Sequence, residues 1–183
     1  MYINCSLISG LATAIRDSCA HSTQIATHHA LMGNFEIVDF SSLSDDIQKL
    51  VTEASAIRKK AYCPYSNFAV GAALLTEDEG KIYTGCNIEN STLTPSICAE
   101  RAGISRAVCE GYTKFTKVAV VAHQQEFTAP CGVCRQTLNE FCSSDGDIDI
   151  YLSKPSLDKV LCTKLTKILP LSFVSYKKDN IVT

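Results

Sequence analysis

The residues best suited to chemistry lie in two short cysteine-containing stretches, CAER at 98–101 and PCGVCR at 130–135. Thiolates from Cys98, Cys131 and Cys134 can hold one zinc ion and leave its fourth tetrahedral position open to water, as in catalytic zinc sites. Both stretches fall where a helix is predicted to begin, and helix N-termini stabilise thiolates. The spacing therefore predicts a catalytic zinc centre built from two helix N-termini.

Glu100 distinguishes this pattern from a structural zinc site. A carboxylate two residues after a zinc-binding cysteine is placed to move the protons of the bound water. A closed site would need a fourth ligand, but Cys142 lies roughly 12 Å along the helix from Cys134 at about 1.5 Å per residue. Arg101 and Arg135 are expected to offset the charge of three thiolates through hydrogen bonds, the alternative being surface arginines.

The elements that must position these residues alternate between helices and strands. The predicted order is a helix at 44–60, strands at 68–75 and 82–88, a helix at 95–111, a strand at 117–122, a helix at 130–141, a strand at 148–152 and a helix at 157–165. Such an order predicts a sheet with helices packed on it.

Composition narrows the class of protein. The chain has 183 residues, 46% of them hydrophobic, which is enough for one globular domain. Its net charge of −2 gives no electrostatic reason to expect a nucleic-acid partner and fits a small neutral ligand. No apolar run reaches the roughly 18 residues of a membrane span.

The ten cysteines can be interpreted in two ways. Disulfides are one reading, but no secretory signal is visible, so we expect the cysteines outside the two motifs to be small buried residues in the reducing cytoplasm.

The chain divides into three predicted segments. Residues 1–41 form an N-terminal extension of unknown role, 42–175 the catalytic domain and 176–183 a C-terminal tail. The extension contains the adjacent pair His28 and His29, which we interpret as solvated or packing residues rather than metal ligands.

Four blocks of this sequence resemble the small homotetrameric cytidine deaminases, whose zinc chemistry belongs to the nucleobase deaminases. In chain order the blocks are AYCPYSNF with VGAAL at 61–74, GCNIEN at 85–90, ICAER at 97–101 and PCGVCRQ at 130–136. The resemblance implies a three-layer α/β/α fold with a five-stranded mixed sheet and active sites completed by neighbouring subunits. It also implies one zinc ion per subunit on the three cysteines, with proton transfer by Glu100.

The resemblance further implies how the substrate is held. Asn87 and Glu89 would bind the ribose, Phe68 would pack against the base, and the backbone N–H of Ala99 could donate to the base O2. In the family a tyrosine helps form the adjacent subunit's site, and here Leu93 stands in its place. Phe173 would stack on the base across a subunit boundary.

The sequence thus predicts zinc-dependent hydrolytic deamination of cytidine and 2′-deoxycytidine to uridine and 2′-deoxyuridine plus ammonia, in pyrimidine salvage. The expected partners are a nucleoside and further copies of the chain in a tetramer, with neither nucleic acid nor membrane.

Three alternatives stay open. A polynucleotide cytosine deaminase would need a basic strand-binding groove, and a deaminase of a nucleoside-like antibiotic would share the zinc blocks. A pseudo-enzyme with a structural zinc would have no use for Glu100.

Overall fold

In the computed structural model, which describes residues 35–124 and 126–173, one mixed sheet has the strand order β1-β6-β5-β4-β2-β3. In chain order the elements are β1 (Glu36–Asp39), α1 (Asp45–Arg58), β2 (Val70–Thr76), β3 (Ile82–Cys86), α2 (Ala99–Cys109), β4 (Phe115–Ala122), α3 (Gly132–Glu140), β5 (Asp149–Ser153), β6 (Lys159–Lys164) and α4 (Leu165–Ile168). Strands β4 and β5 pair in parallel, and the other neighbours are antiparallel. No helix of these two ranges is long and apolar enough to cross a membrane.

Helices cover both faces of the sheet. On one face α1 packs through Leu50, Val51 and Ala54. On the other face α2 and α3 pack through residues that include Ile104 and Leu138. Strand β4 sends alternate side chains into both clusters, which explains why its sequence is an almost continuous apolar run. The arrangement is an α/β fold in three layers.

The sheet differs from the expected one in its number of strands. The described residues form six strands rather than five, because β1 pairs with β6 at the edge of the sheet. This strand, Glu36–Asp39, lies inside the segment 1–41, for which the sequence analysis predicted no element. Residues 1–34, with His28 and His29, and the predicted tail at 176–183 lie outside the described residues.

The predicted helix at 157–165 is wrong. Residues Lys159–Lys164 form β6, which pairs with β5 on one side and β1 on the other, and α4 begins only at Leu165. A strand here satisfies backbone groups of both neighbouring strands, and that pairing outweighs the helical spacing of the segment. The predicted hairpin and the helices at 44–60, 95–111 and 130–141 are confirmed, with ends shifted by a few residues.

The N-terminal end of α2 lies directly on β3 because residue 85 is glycine. A Cβ atom at Gly85 would be 2.3 Å from the carbonyl oxygen of Ala99 and 2.3 Å from the backbone nitrogen of Gly103. These are main-chain atoms, which no rotamer change can move aside. Cys98 and Glu100 flank Ala99, so this contact sets how deeply the first turn of the helix sits against the sheet.

We therefore expect Gly85→Ala to lower the free energy of unfolding by about 3 kcal/mol or more, since the helix must move away from the strand. Gly80→Ala is the control. Gly80 has open space around it but a φ of +61°, so alanine there should cost only about 1 kcal/mol. Urea denaturation of both variants measures the difference, and equal losses of stability would contradict the close contact.

Candidate active site

The structure brings the three motif cysteines together. Cys98 precedes the first turn of α2, Cys131 precedes that of α3, and Cys134 lies within the first turn of α3. Their sulfur atoms all lie within 4.8 Å of one another, and the Sγ atoms of Cys98 and Cys131 are 3.9 Å apart. A tetrahedral zinc with bonds of about 2.3 Å separates its sulfur ligands by roughly 3.8 Å. The cluster therefore fits a zinc ion, and Cys142 is not part of it.

The three thiols differ in acidity. Hydrogen bonding from the Cys134 thiol, together with that from Arg101, lowers the pKa of Cys98 to about 5. The pKa of Cys134 is raised, because its proton is shared with Cys98 and its side chain is buried. Cys98 is thus ready as a thiolate, whereas the proton of Cys134 has to leave when a metal binds.

The two arginines next to the motifs have different partners. Arg101 donates from Nη2 to Cys98 Sγ at 3.8 Å and to the carbonyl oxygen of Ser96 at 3.2 Å, as a group that offsets thiolate charge would. Arg135 donates to two carbonyl oxygens, from Nε to Pro130 at 2.7 Å and from Nη1 to Ile168 at 2.8 Å. These bonds tie the turn before α3 to the end of α4.

Glu100 lies in the first turn of α2 and is only 4% exposed. Burial raises its pKa first, and the nearby charge of Cys98 raises it further. A buried carboxylate with a raised pKa accepts a proton more readily than an exposed carboxylate does. It loses that proton again once the pH exceeds the raised pKa.

A cavity of about 270 Å³ adjoins the cysteines and Glu100. Its wall is formed by Phe68, Val70, Asn87, Glu89, Ser96, Ile97, Cys98, Ala99, Glu100, Val120, Thr128, Ala129 and Cys131. The carboxyl groups on this wall belong to Glu89 and Glu100, and no lysine, arginine or histidine of the described residues lies on it.

The cavity wall contains most of the predicted site and some residues that the sequence analysis missed. Ser96 and Thr128 add hydroxyls beside the predicted binding residues. Both lie within three residues of a motif cysteine, and that proximity is the one signal in the sequence that could have identified them as part of the wall. Val120 lies in β4, in the middle of the sheet. It reaches the cavity because alternate β4 side chains are buried on the face that α2 covers.

Asn87 has a second task besides lining the cavity. Its Oδ1 accepts a hydrogen bond from the N–H of Val70 at 2.8 Å, and its Nδ2 donates to the carbonyl oxygen of Phe68 at 2.9 Å. The amide retains one acceptor and one donor position beyond these bonds. It therefore holds the start of β2 in place while keeping groups for a ligand.

Leu93 and Phe173 lie outside the cavity wall of the single chain. Leu93 is 68% exposed in a turn, with φ at +63°, and Phe173 is 73% exposed. The main chain of Phe173 is held at both polar groups by the side chain of Gln136, at 3.0 and 2.8 Å.

Arg135→Ala should lower the free energy of unfolding by about 2 kcal/mol, because two carbonyl oxygens lose a charged donor. Arg106→Ala, at an exposed position of α2, is the control and should stay within about 0.5 kcal/mol of the unaltered chain. Urea denaturation gives both values. Unchanged stability combined with a loss of bound zinc would instead favour the charge-offsetting role expected from the sequence.

Comparison with known proteins finds a matching family model and several similar chains. The family model described as "Cytidine and deoxycytidylate deaminase zinc-binding region" matches residues 44–146. A cytidine deaminase of Sporosarcina psychrophila is 46% identical over 128 residues, covering 70% of this chain and 91% of the relative. A probable cytidine deaminase of Dictyostelium discoideum is 43% identical over 112 residues, covering 61% and 73%. The crystal structure of cytidine deaminase from Burkholderia pseudomallei matches with a TM-score of 0.64 and 38% identity, covering 72% of this chain and 100% of that one.

Proposed function

The chain belongs to the cytidine and deoxycytidylate deaminase family of enzymes, and we propose that it hydrolyses cytidine and 2′-deoxycytidine to uridine and 2′-deoxyuridine, releasing ammonia, in pyrimidine salvage. The observation that carries this proposal is the juxtaposition of a buried carboxylate with three convergent thiols on one cavity wall. A cavity of about 270 Å³ is of a size to take a small ligand such as a nucleoside.

One zinc ion per subunit would be held by the Sγ atoms of Cys98, Cys131 and Cys134. When bound, it would act as a Lewis acid that makes water nucleophilic near neutral pH. The chain's own contribution is to present the three sulfurs at two helix N-termini, where partial positive charge favours thiolates.

Glu100 would move the protons of the reaction. It would take one proton from the water that attacks C4 and deliver it to N3 of the cytosine ring. As the C4–N bond breaks, it would pass the remaining proton of the new C4 hydroxyl to the amino group, which leaves as ammonia. Its burial supports this role, because a carboxylate out of water holds a proton more readily. Such proton transfer contributes roughly 10²–10⁴-fold to the rate.

The remaining wall residues would orient the nucleoside. The N–H of Ala99 is one of the free N–H groups in the first turn of α2 and would donate to O2 of the base. Phe68 would pack against the ring. Asn87 and Glu89 would bind the sugar, and the unused positions of the Asn87 amide support this.

We also propose that the chain acts as a homotetramer in the cytoplasm. Several apolar side chains are exposed on the single chain, among them Tyr62, Ile88 and Leu93. Their exposure supports a role in contacts between subunits. Leu93 and Phe173 would then reach the cavity of a neighbouring copy, since neither lines its own. The eight described cysteines are free thiols, as a reducing compartment would keep them.

Replacing Glu100 tests the proposed chemistry. Glu100→Gln should lower kcat for cytidine and 2′-deoxycytidine by about 10²–10⁴-fold, because the amide cannot carry a proton. Ultraviolet absorbance follows turnover, and atomic absorption should show zinc retained. Glu53→Gln, at an exposed position of α1, is the control. Zinc-loaded enzyme that leaves both nucleosides intact, or a Glu100→Gln variant with full activity, would refute the proposal.

The acidic groups on the cavity wall predict that the enzyme prefers a nucleoside to the corresponding nucleotide. Deoxycytidylate carries a 5′-phosphate, and the described wall offers it the acidic groups of Glu89, Glu100 and the cysteines but no lysine, arginine or histidine. Like charges brought together cost several kcal/mol. We expect kcat/KM for deoxycytidylate to be at least about 100-fold below that for 2′-deoxycytidine in parallel assays. Comparable values for the two substrates would mean that a cation reaches the cavity from elsewhere.

A further inference from the structure

The carboxylate of Glu89 is held by three donors from one loop. Its Oε2 accepts the N–H groups of Tyr65 at 3.0 Å and Ser66 at 3.2 Å, and its Oε1 accepts the hydroxyl of Ser66. A carboxylate offers about four acceptor positions. Three are therefore filled, and the one left lies on Oε1, next to the Ser66 hydroxyl.

The same hydroxyl reaches a second residue of the cavity wall. Ser66 Oγ accepts the N–H of Phe68 at 3.0 Å. Both Glu89 and Phe68 line the cavity, whereas Ser66 itself is exposed and does not. One small side chain outside the cavity thus links a polar and an aromatic residue of its wall.

The main chain on either side of Ser66 is held in place by hydrogen bonds of its own. The N–H of Tyr62 donates to the carbonyl oxygen of Asn87 at 3.0 Å, and the N–H of Glu89 donates to that of Tyr62 at 2.8 Å. Asn67 adopts φ at +55°, and its N–H closes a turn onto Cys63 at 3.0 Å. With the main chain anchored on both sides, the Ser66 hydroxyl sets the orientation of the Glu89 carboxylate.

We propose that Ser66 is a positioning residue for sugar recognition, holding Glu89 so that the free position on Oε1 accepts a hydrogen bond from a hydroxyl of the nucleoside sugar. This inference rests on the proposed function. Without the hydroxyl, the carboxylate is held only through Oε2, by the N–H groups of Tyr65 and Ser66. Oε1 then has two open positions and its place is less closely defined, and the N–H of Phe68 loses its acceptor.

Loss of the Ser66 hydroxyl is expected to change substrate binding rather than the chemical step. Glu89 would touch the sugar and Phe68 the base, while the proton transfers belong to Glu100 and the thiols on another part of the wall. An interaction made equally with the ground state and the transition state changes KM and leaves kcat alone. Loss of the Ser66 hydroxyl should therefore appear in KM.

The experiment compares Ser66→Ala, Ser66→Thr and the unaltered chain on cytidine and on 2′,3′-dideoxycytidine, which lacks the 2′- and 3′-hydroxyls of the sugar. Ser66→Ala should raise KM for cytidine about tenfold, the usual weight of a hydrogen bond to a charged group, with kcat within about twofold. Ser66→Thr keeps the hydroxyl and should restore KM. KM for 2′,3′-dideoxycytidine should rise far less than that for cytidine, because only the support of Phe68 beside the base is lost.

A matched control comes from a second serine that donates to a carboxylate. Ser156 bonds to Asp158 at 2.7 Å and does not line the cavity, so Ser156→Ala should leave both constants unchanged. Thermal unfolding verifies that each variant is folded. Should Ser66→Ala fail to fold, Ser66→Cys replaces it, because a thiol is close to a hydroxyl in shape but donates only weakly. It should raise KM for cytidine in the same way.

Three results would overturn the inference: an unchanged KM in Ser66→Ala, a fall in kcat at constant KM, or an equal rise in KM for both nucleosides. The last two would mean that Ser66 supports the loop in general rather than the sugar contact. An unaltered enzyme that converts neither nucleoside overturns the proposed function, and this inference with it, before any variant is compared.

Discussion

Two helices have to begin at the same point, although the cysteines that meet there are 33 residues apart in sequence. Everything chemical in the cavity depends on this convergence of the N-termini of α2 and α3. On the α2 side, glycine at residue 85 lets main chain lie against main chain, so the helix start is set by the sheet. On the α3 side, Arg135 ties the preceding turn to the end of α4. Neither device touches the sulfur atoms, yet both determine whether the sulfurs can meet.

The convergence also explains the electrostatics of the site. Three thiols within 4.8 Å repel one another when ionised, and the buried carboxylate of Glu100 adds a fourth acidic group. Without a cation, protons must remain on part of this cluster, as the raised pKa values of Cys134 and Glu100 show. A divalent cation removes that conflict, and Arg101 contributes one further positive charge at Cys98. The cluster is therefore compatible with a bound divalent cation, which would offset the charge of its acidic groups.

The sequence predicted the elements whose signal is local. The helices that begin after Cys98 and Cys131 have apolar periodicity of their own, with Gly111 after the first and Pro130 before the second. The hairpin of β2 and β3 has a turn between two apolar runs. The strand Lys159–Lys164 was read as a helix because its identity depends on β1 and β5, which are distant in sequence. The sequence did not predict the strand Glu36–Asp39, because a four-residue edge strand is too short to show a periodic pattern.

The sequence by itself predicted three cysteines as metal ligands and Glu100 as the proton-transfer group, because residue type and position relative to a helix start are local properties. The net charge of −2 also favoured a small neutral ligand over a nucleic acid. Only the tertiary structure decided what Arg135, Asn87, Glu89 and Ser66 bind. Apart from Pro130 for Arg135 and Phe68 for Ser66, their partners lie 17 to 33 residues away. Hydrogen bonds across such separations exist only after the chain has packed, so no spacing in the sequence records them.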